Sequence, residues 1–273
     1  MTIKVWKAAC MAVIGSVAAL HAAPGLAAIQ TQTWDFSNSS QSFSGTGFGN
    51  SLNLTSSDGV NLTITGWSDT NDVSGPDRIE TAKLIWAQNS ALGIQNRDED
   101  TNSPNHSIDS ITSDADGEFD MLLLQFDTAV RLTGIDLNWA VGGNAANRAD
   151  VSILAYDGSG STSLGGSTWA NVLSSNGGNY DSVGNYANVG LSYYAVNPAQ
   201  VESTTWLVGV YNPVFGSGGD AGDDGFKLGL ITTETDDPQD DPPGEVPVPG
   251  SVPLMLLGLV LLRRRISALG GKA

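Results

Sequence analysis

The run MLLLQFDTAVRLTGIDLNWA, residues 121–140, decides the fold of this chain. Residues 121–126 form a short, continuous apolar run, which is typical of a β-strand that is buried on both faces. Residues 130–140 (VRLTGIDLNWA) are predicted as a further strand. The middle of the chain therefore predicts two strands, the first of them deep in a protein core.

Strand-like segments recur before this run. Residues 31–36 (TQTWDF) and 60–67 (VNLTITGW) alternate apolar and polar side chains with a period of two, which indicates half-buried strands. The segment SLNLT precedes the second of them, and Asp58-Gly59 lies between the two as a turn signal. These features predict a β-hairpin near residue 58.

Strands are also predicted after the central run, and between them lie loops rich in Gly, Ser, Asn and Asp. These strands cover residues 150–157, 204–211 and 226–233. No window of eleven or more residues shows a helical period. We therefore predict the all-β class, as a single β-sandwich or jelly-roll-like domain over residues 28–233.

The region between the two ends of the chain is strongly acidic. All 29 acidic residues lie between Asp35 and Glu245 with only six basic residues, so this region carries −23 against −17 for the whole chain. Such a surface repels nucleic acid, because phosphate binding requires Lys and Arg. We therefore expect no nucleic-acid partner. Dispersed carboxylates of this kind keep an exposed protein soluble.

The N-terminus has the order of a secretory signal peptide. Lys4 and Lys7 precede an apolar stretch, residues 8–20, and small residues follow at positions 25 and 27. We predict a signal peptide over residues 1–27, cut by signal peptidase after residue 27 or 28. Cys10, the only cysteine, is lost with it, so the exported chain has no disulfide.

The C-terminus predicts a linker and a short membrane segment. Residues 234–249 are rich in Pro and Asp, which is typical of an extended linker. Residues 250–265 are predicted as a short transmembrane helix that ends in an Arg cluster, and residues 266–273 as a cytoplasmic tail. The length of the apolar run is at the lower limit for crossing a bilayer. Such a segment is either a plain membrane anchor that stays on the protein or a signal that is removed.

The extreme C-terminus resembles the PEP-CTERM sorting signal of Gram-negative bacteria. The resemblance rests on a Pro-rich motif, an apolar stretch and a basic cluster in that order. Its motif residues are Val246, Pro247, Val248, Pro249, Gly250, Arg263, Arg264 and Arg265. Val248 stands where the usual motif has an acidic residue. The resemblance implies processing by an exosortase, a membrane-embedded cysteine protease, and an association with extracellular polysaccharide and biofilm.

The body of the chain resembles a group of small exosortase-dependent surface proteins. The residues that carry this likeness are QTWDFS (32–37), the run at 119–139, and DDGFKLGLIT (223–232). It implies no catalytic residues. Together the two ends predict an exported protein that passes through an inner-membrane intermediate to the cell surface or the extracellular space.

Loops rich in Asp supply candidate ligands for calcium, which takes six to eight hard oxygen atoms. Calcium is the one cofactor that the composition favours, because the exported chain has no cysteine and a single histidine, His106. Two loops, DADGEFD and GSGGDAGDDGF, offer the acidic residues Asp114, Asp116, Asp120, Asp220, Asp223 and Asp224.

We predict that the protein is not an enzyme. His106 lies in a polar loop without a nucleophile motif. A glycosidase needs two carboxyl groups at a defined separation, and no pair stands out among 29 acids.

Two functions remain open on the sequence alone. The first is a non-enzymatic surface or matrix protein sorted by an exosortase. The second is a carbohydrate-binding module, with extracellular polysaccharide as partner and calcium as an added ligand. Trp169 follows a Gly/Ser-rich loop, so it is the best candidate for an exposed aromatic platform.

Overall fold

Most of the described chain runs in antiparallel β-strands, as the alternation of side chains predicts. The computed structural model describes residues 28–37, 40–70, 77–87, 91–98, 106–111, 118–142, 146–158 and 160–236. The predicted signal peptide, sorting motif and C-terminal membrane segment lie outside these residues. Within the described part of the chain, no helix is long and apolar enough to cross a membrane.

The strands are numbered in chain order. They are β1 Ile29–Asp35, β2 Ser51–Thr55, β3 Asn61–Thr70, β4 Arg78–Thr81, β5 Lys83–Ala87, β6 Ala91–Gln95, β7 Ile108–Asp109, β8 Asp120–Val141, β9 Ala149–Tyr156, β10 Tyr180–Val189, β11 Tyr194–Ala195, β12 Ser203–Val210 and β13 Gly225–Asp236. One helical turn, α1, covers Trp169–Val172.

The predicted hairpin near residue 58 is confirmed. Strands β2 and β3 pair in antiparallel register from Ser51↔Thr65 to Thr55↔Asn61. Gly59 has a φ of +87°, a left-handed conformation that glycine adopts without steric cost, as the tight turn requires.

Strand β8 is one continuous strand of 22 residues where the sequence predicts two. Its first part, residues 120–126, pairs with β3 on one side and β12 on the other. Its last part, residues 131–141, pairs with β13. Between them, residues 127–129 are exposed but stay extended. Residues 127–129, which separate the two predicted strands, are therefore the place where β8 passes from one set of paired strands to another.

The crossing of β8 divides the strands into two groups. In the first strand group, the initial part of β8 pairs with β3 and β12, which extend to β2, β4, β9 and β10. In the second strand group, the final part of β8 pairs with β13 and β11, and β13 also pairs with β1, β6 and β7. Strand β5 completes the second group by pairing with β6.

The first part of β8 is buried on both faces, which confirms the interpretation of residues 121–126. Leu122 and Leu124 belong to the main core, the larger of two clusters of buried apolar side chains. Met121 and Leu123 belong to the second core. Side chains alternate across a strand, so a continuous apolar run can supply two separate cores.

The second core lies against the segment that joins β9 to β10. That segment contributes Leu164 and the α1 residues Trp169 and Val172. The hydroxyl of Thr168 accepts a hydrogen bond from the N–H of Asn171 at 3.3 Å and caps the turn. A connection with almost no regular structure therefore covers one face of the first strand group. The second core consists of Ile79, Met121, Leu123, Leu154, Leu164, Trp169, Val172, Tyr180, Leu207 and Phe215.

The β unit extends beyond its predicted end at residue 233. Strand β13 continues to Asp236, which pairs with Ile29 of β1. Arg131 forms ion pairs with Asp236 at 2.6 Å and with Glu202 at 2.5 Å. The predicted boundary is therefore three residues short, because the acidic residues that look like the start of a linker are held by β1 and by Arg131.

Replacing either Leu123 or Leu124 with Ala should lower the free energy of unfolding by about 2–5 kcal/mol, because each change leaves a cavity in a closed core. Urea unfolding of the purified variants measures this. Leu191, which is 43% exposed, is the matched control, and Leu191→Ala should stay within about 0.5 kcal/mol of the parent. A Leu123→Ala variant as stable as Leu191→Ala would contradict the burial of the face of β8 that packs into the second core.

Candidate functional site

Three carboxylates from distant parts of the chain meet in an acidic cluster. Asp150 lies at the start of β9, and Asp220 and Asp224 lie in the loop that leads into β13. One carboxylate oxygen of each residue lies within 4.8 Å of those of the other two. Asp150 and Asp224 are buried, with 4% and 3% of their surface exposed, whereas Asp220 is exposed. The acidic cluster is therefore buried at Asp150 and Asp224 and open to solvent at Asp220.

Main-chain N–H groups orient these carboxylates. Asp150 Oδ1 accepts a hydrogen bond from the N–H of Asn188 at 2.6 Å, and its Oδ2 accepts one from the N–H of Asp220 at 2.9 Å. Asp224 Oδ1 accepts a hydrogen bond from the N–H of Asp150 at 2.8 Å. These main-chain bonds connect β9, the end of β10 and the loop before β13, and the side chains of Asp150 and Asp220 also interact with each other.

The two buried members of the acidic cluster have no basic side chain beside them in the part of the chain that the structure describes. There, neither Asp150 nor Asp224 forms an ion pair with a Lys or Arg. Asp224 Oδ2 is buried and has no hydrogen-bond partner among the same residues. Burial, followed by the nearby negative charges of Asp150, Asp223 and Asp220, raises the pKa of Asp224 to about 7. Buried carboxylates are normally paired or bound to a cation, so this arrangement is suited to a positive ligand.

Two glycines keep the space around the acidic cluster open. A Cβ atom at Gly219 would collide with Asp150 Oδ2, and one at Gly142 would collide with Asp224 Oδ1. Any larger residue at either position would push against a carboxylate oxygen. The close approach of the backbone to both carboxylates therefore depends on glycine.

The sequence identified Asp220 and Asp224 but missed Asp150. Asp150 opens the strand 149–156, in which every residue except the last is buried. An acidic residue inside such a run is the signal that could have identified it, because a buried carboxylate needs a specific partner. Asp223 was predicted with its neighbours, but it is not part of the group within 4.8 Å.

The other predicted calcium loop is only partly described. Asp114 and Asp116 lie outside the described residues, so their role stays a prediction. Asp120 is fully buried at the start of β8, and its Oδ2 lies 3.4 Å from the N–H of Asp109 as an acceptor. Among the described residues, Asp120 is not part of a group of three potential metal ligands.

The expectation that Trp169 is exposed is wrong. Its side chain is 2% exposed and packs edge-on against Phe215, with ring centroids 6.1 Å apart. The indole fills the second core because the sheet face beneath it is apolar. A Gly/Ser-rich loop before a tryptophan therefore does not predict exposure when the following segment covers a sheet.

Tyrosines, not tryptophan, line a surface cleft. The cleft has a volume of about 360 Å³. Tyr193 is 55% exposed, and its hydroxyl donates a hydrogen bond to the carbonyl of Thr133 at 3.2 Å. Its ring lies against Gly134, where a Cβ would collide with it. One face of this ring is therefore backed by β8 while much of its surface stays accessible. The cleft is lined by Thr133, Tyr186, Tyr193, Tyr194, Ala195, Val196, Pro198, Gln200 and Glu234.

Two further acids, Asp69 near the end of β3 and Glu118 just before β8, sit in an environment that favours their neutral form. Burial raises the pKa of Asp69 to about 6, although its Oδ1 accepts a hydrogen bond from the N–H of Phe119 at 2.7 Å. Burial and the neighbouring Asp98 raise the pKa of Glu118 to about 7. Protons on these groups stabilise the folded state, since the ionised forms are poorly solvated.

Comparisons with protein-family models, with curated proteins and with solved structures find no match to this chain.

The pKa of Asp69 predicts a pH dependence of stability. Its folded pKa, about 6, lies above the ordinary value of 3.8, so the folded state binds more protons between these values. Its contribution to stability is complete below pH 4 and is lost as the pH rises through 6. Asp69→Asn should therefore gain stability relative to the parent between pH 4 and pH 8, by about 3 kcal/mol at most.

Urea unfolding at several pH values measures this difference, because Asn keeps the acceptor for the N–H of Phe119. Asp58→Asn, on an exposed turn, is the control and should follow the parent at every pH. If the stabilities of Asp69→Asn and the parent differ by the same amount at pH 4 and pH 8, the carboxyl of Asp69 does not titrate as described.

Proposed function

We propose that this chain is an exported, non-enzymatic surface or matrix protein whose C-terminus is a sorting signal processed by an exosortase. The observation that carries this proposal is the order of the C-terminal segments: a Pro-rich motif at 246–250, an apolar run, and Arg263, Arg264 and Arg265. The positively charged, apolar start of the chain supports it, because it has the order of a signal peptide.

The charge distribution fits a role outside the cytoplasm. The basic residues at the two ends flank apolar runs, of which the C-terminal one is short for a membrane span, and the acidic region lies between them. By the positive-inside rule both ends stay on the cytoplasmic side while the acidic region is translocated. The exported part has no cysteine, so its stability depends on packing and bound ligands rather than on disulfides.

We further propose that the β unit, Ile29–Asp236, is a single β-sandwich built on β8. Residues of both strand groups contribute to the main core, among them Leu62 and Val208 from the first group and Leu132 and Ile231 from the second. Two sheets that bury a shared core in this way form the layers of a sandwich. The second core and its covering segment then lie on the outer face of one layer.

A second candidate function, carbohydrate binding, is favoured by the tyrosine-lined cleft. Sugar rings stack on aromatic side chains whose rings are both accessible and held in place, and Tyr193 meets both conditions. Gln200 and Glu234 in the same cleft supply hydrogen-bonding groups for sugar hydroxyls. A polysaccharide of the extracellular matrix is the class of ligand that fits these groups and the proposed location.

Replacing Arg263, Arg264 and Arg265 with Gln should block processing of the tail in a bacterium that encodes an exosortase. We expect the full-length form to accumulate in the membrane fraction, because the basic cluster no longer fixes the cytoplasmic end. Intact-mass measurement and fractionation report this. Lys272→Gln, which removes a positive charge beyond the cluster, is the matched control. Parent protein that keeps its apolar tail where the exosortase is active would favour the plain membrane anchor.

Replacing Tyr193 with Ala should weaken binding to a glycan that the parent binds on an array, by about tenfold or more. The change removes the accessible ring without opening a core, since the side chain is 55% exposed. Phe48→Ala removes another partly exposed aromatic ring, 42% exposed and outside the cleft, and should bind as the parent does. A parent protein that binds no glycan, or a Tyr193→Ala variant with full affinity, would contradict carbohydrate binding at this cleft.

A further inference from the structure

The acidic cluster has the properties of a site that is completed by a cation. Asp150 and Asp224 are at least nine-tenths buried, and neither forms an ion pair with a described Lys or Arg. Asp224 Oδ2 is buried without a hydrogen-bond partner among the described residues. Burying two carboxylates next to each other is unfavourable unless a cation or a bound proton neutralises part of the charge. The uncompensated charge and the unused acceptor atom both point to a cation.

The carboxylate oxygens of the acidic cluster lie close together, and those of Asp150 and Asp224 keep acceptor capacity. Each oxygen of Asp150 accepts one main-chain hydrogen bond, which leaves further acceptor capacity on both. Asp224 uses only Oδ1 in this way. The N–H groups therefore orient the carboxylates without saturating them.

The donor set favours calcium. All three donors are carboxylate oxygens, which hard cations prefer, whereas zinc sites are usually built with nitrogen or sulfur ligands. The three oxygens lie within 4.8 Å of one another, a separation that one calcium ion can span. Magnesium is usually held by only one or two carboxylates and keeps several waters, so a group of three carboxylates suits calcium better. We propose that Asp150, Asp220 and Asp224 bind one calcium ion, with water and main-chain carbonyls completing its coordination.

Such an ion would connect the two strand groups. Asp150 lies on β9 of the first group, whereas Asp220 and Asp224 precede β13 of the second. The exposed Asp220 leaves a path for the ion to enter. Because the ligands are far apart in the chain, the unfolded protein has no comparable site, and calcium should stabilise the folded state by mass action.

Calorimetric titration and thermal unfolding of the chelator-treated protein test this assignment. Calcium chloride at about 100 times its Kd should raise the melting temperature by about 5–10 °C. Magnesium chloride at equal ionic strength should raise it much less. Asp224→Asn keeps the acceptor for the N–H of Asp150, so this variant should fold, melt no lower than the calcium-free parent, and show no calcium shift. Asp220→Asn, at an exposed position, should weaken calcium binding.

Asp223→Asn is the matched control. Like Asp224→Asn, it removes one negative charge from the loop before β13. The sequence suggests Asp223 as a ligand beside Asp220 and Asp224, whereas the group in the structure has Asp150 instead, so this variant distinguishes the two sets of ligands. Asp223 Oδ1 is also buried and has no partner within the described segments, but its carboxylate is not part of the group within 4.8 Å. Asp223→Asn should therefore retain the calcium shift. Any of three results would overturn the proposal. The parent could show no binding heat and no change in melting temperature with calcium, or magnesium could raise the melting temperature equally, or Asp223→Asn could lose the calcium-induced rise.

Discussion

The burial of both faces of residues 120–126 is the constraint on which the rest of the structure depends. Alternating side chains of this short segment belong to two different cores, so the strand needs a covering layer on each side. The same strand continues to Val141 and pairs with β13 in the second strand group. One strand thereby pairs with members of both groups. The segment between β9 and β10 has little regular structure, and it is well packed because it covers the second core.

The acidic cluster lies where the two strand groups come together. In the order of paired strands β12 lies between β9 and β8, whereas β13 pairs with β8 directly. Asp150 and Asp224 are linked by the N–H of Asp150, at 2.8 Å from Asp224 Oδ1. Negative charges at such a junction repel each other, so their retention in a buried place is understandable if a cation joins them.

The sequence identified the strands more reliably than the site. The alternation in β1 and β3 and the turn at Gly59 depend on neighbouring residues, so they can be inferred locally. Exposure of Trp169 could not be inferred, because it depends on which segment covers the outer face of the first strand group. Asp150 was missed for a similar reason, since it is 70 residues from Asp220 and only the pairing of strands brings them together.

By itself, the sequence determined the β-rich character of the chain, the acidic middle with basic ends, and the presence of a doubly buried strand at residues 121–126. These properties follow from side-chain period and charge, which do not depend on distant contacts. Only the tertiary structure decided that residues 127–129 continue one strand and that Asp150 joins Asp220 and Asp224. It also decided that Tyr193, rather than Trp169, is accessible. The physical reason is the same in each case: burial and proximity are set by residues far away in the chain.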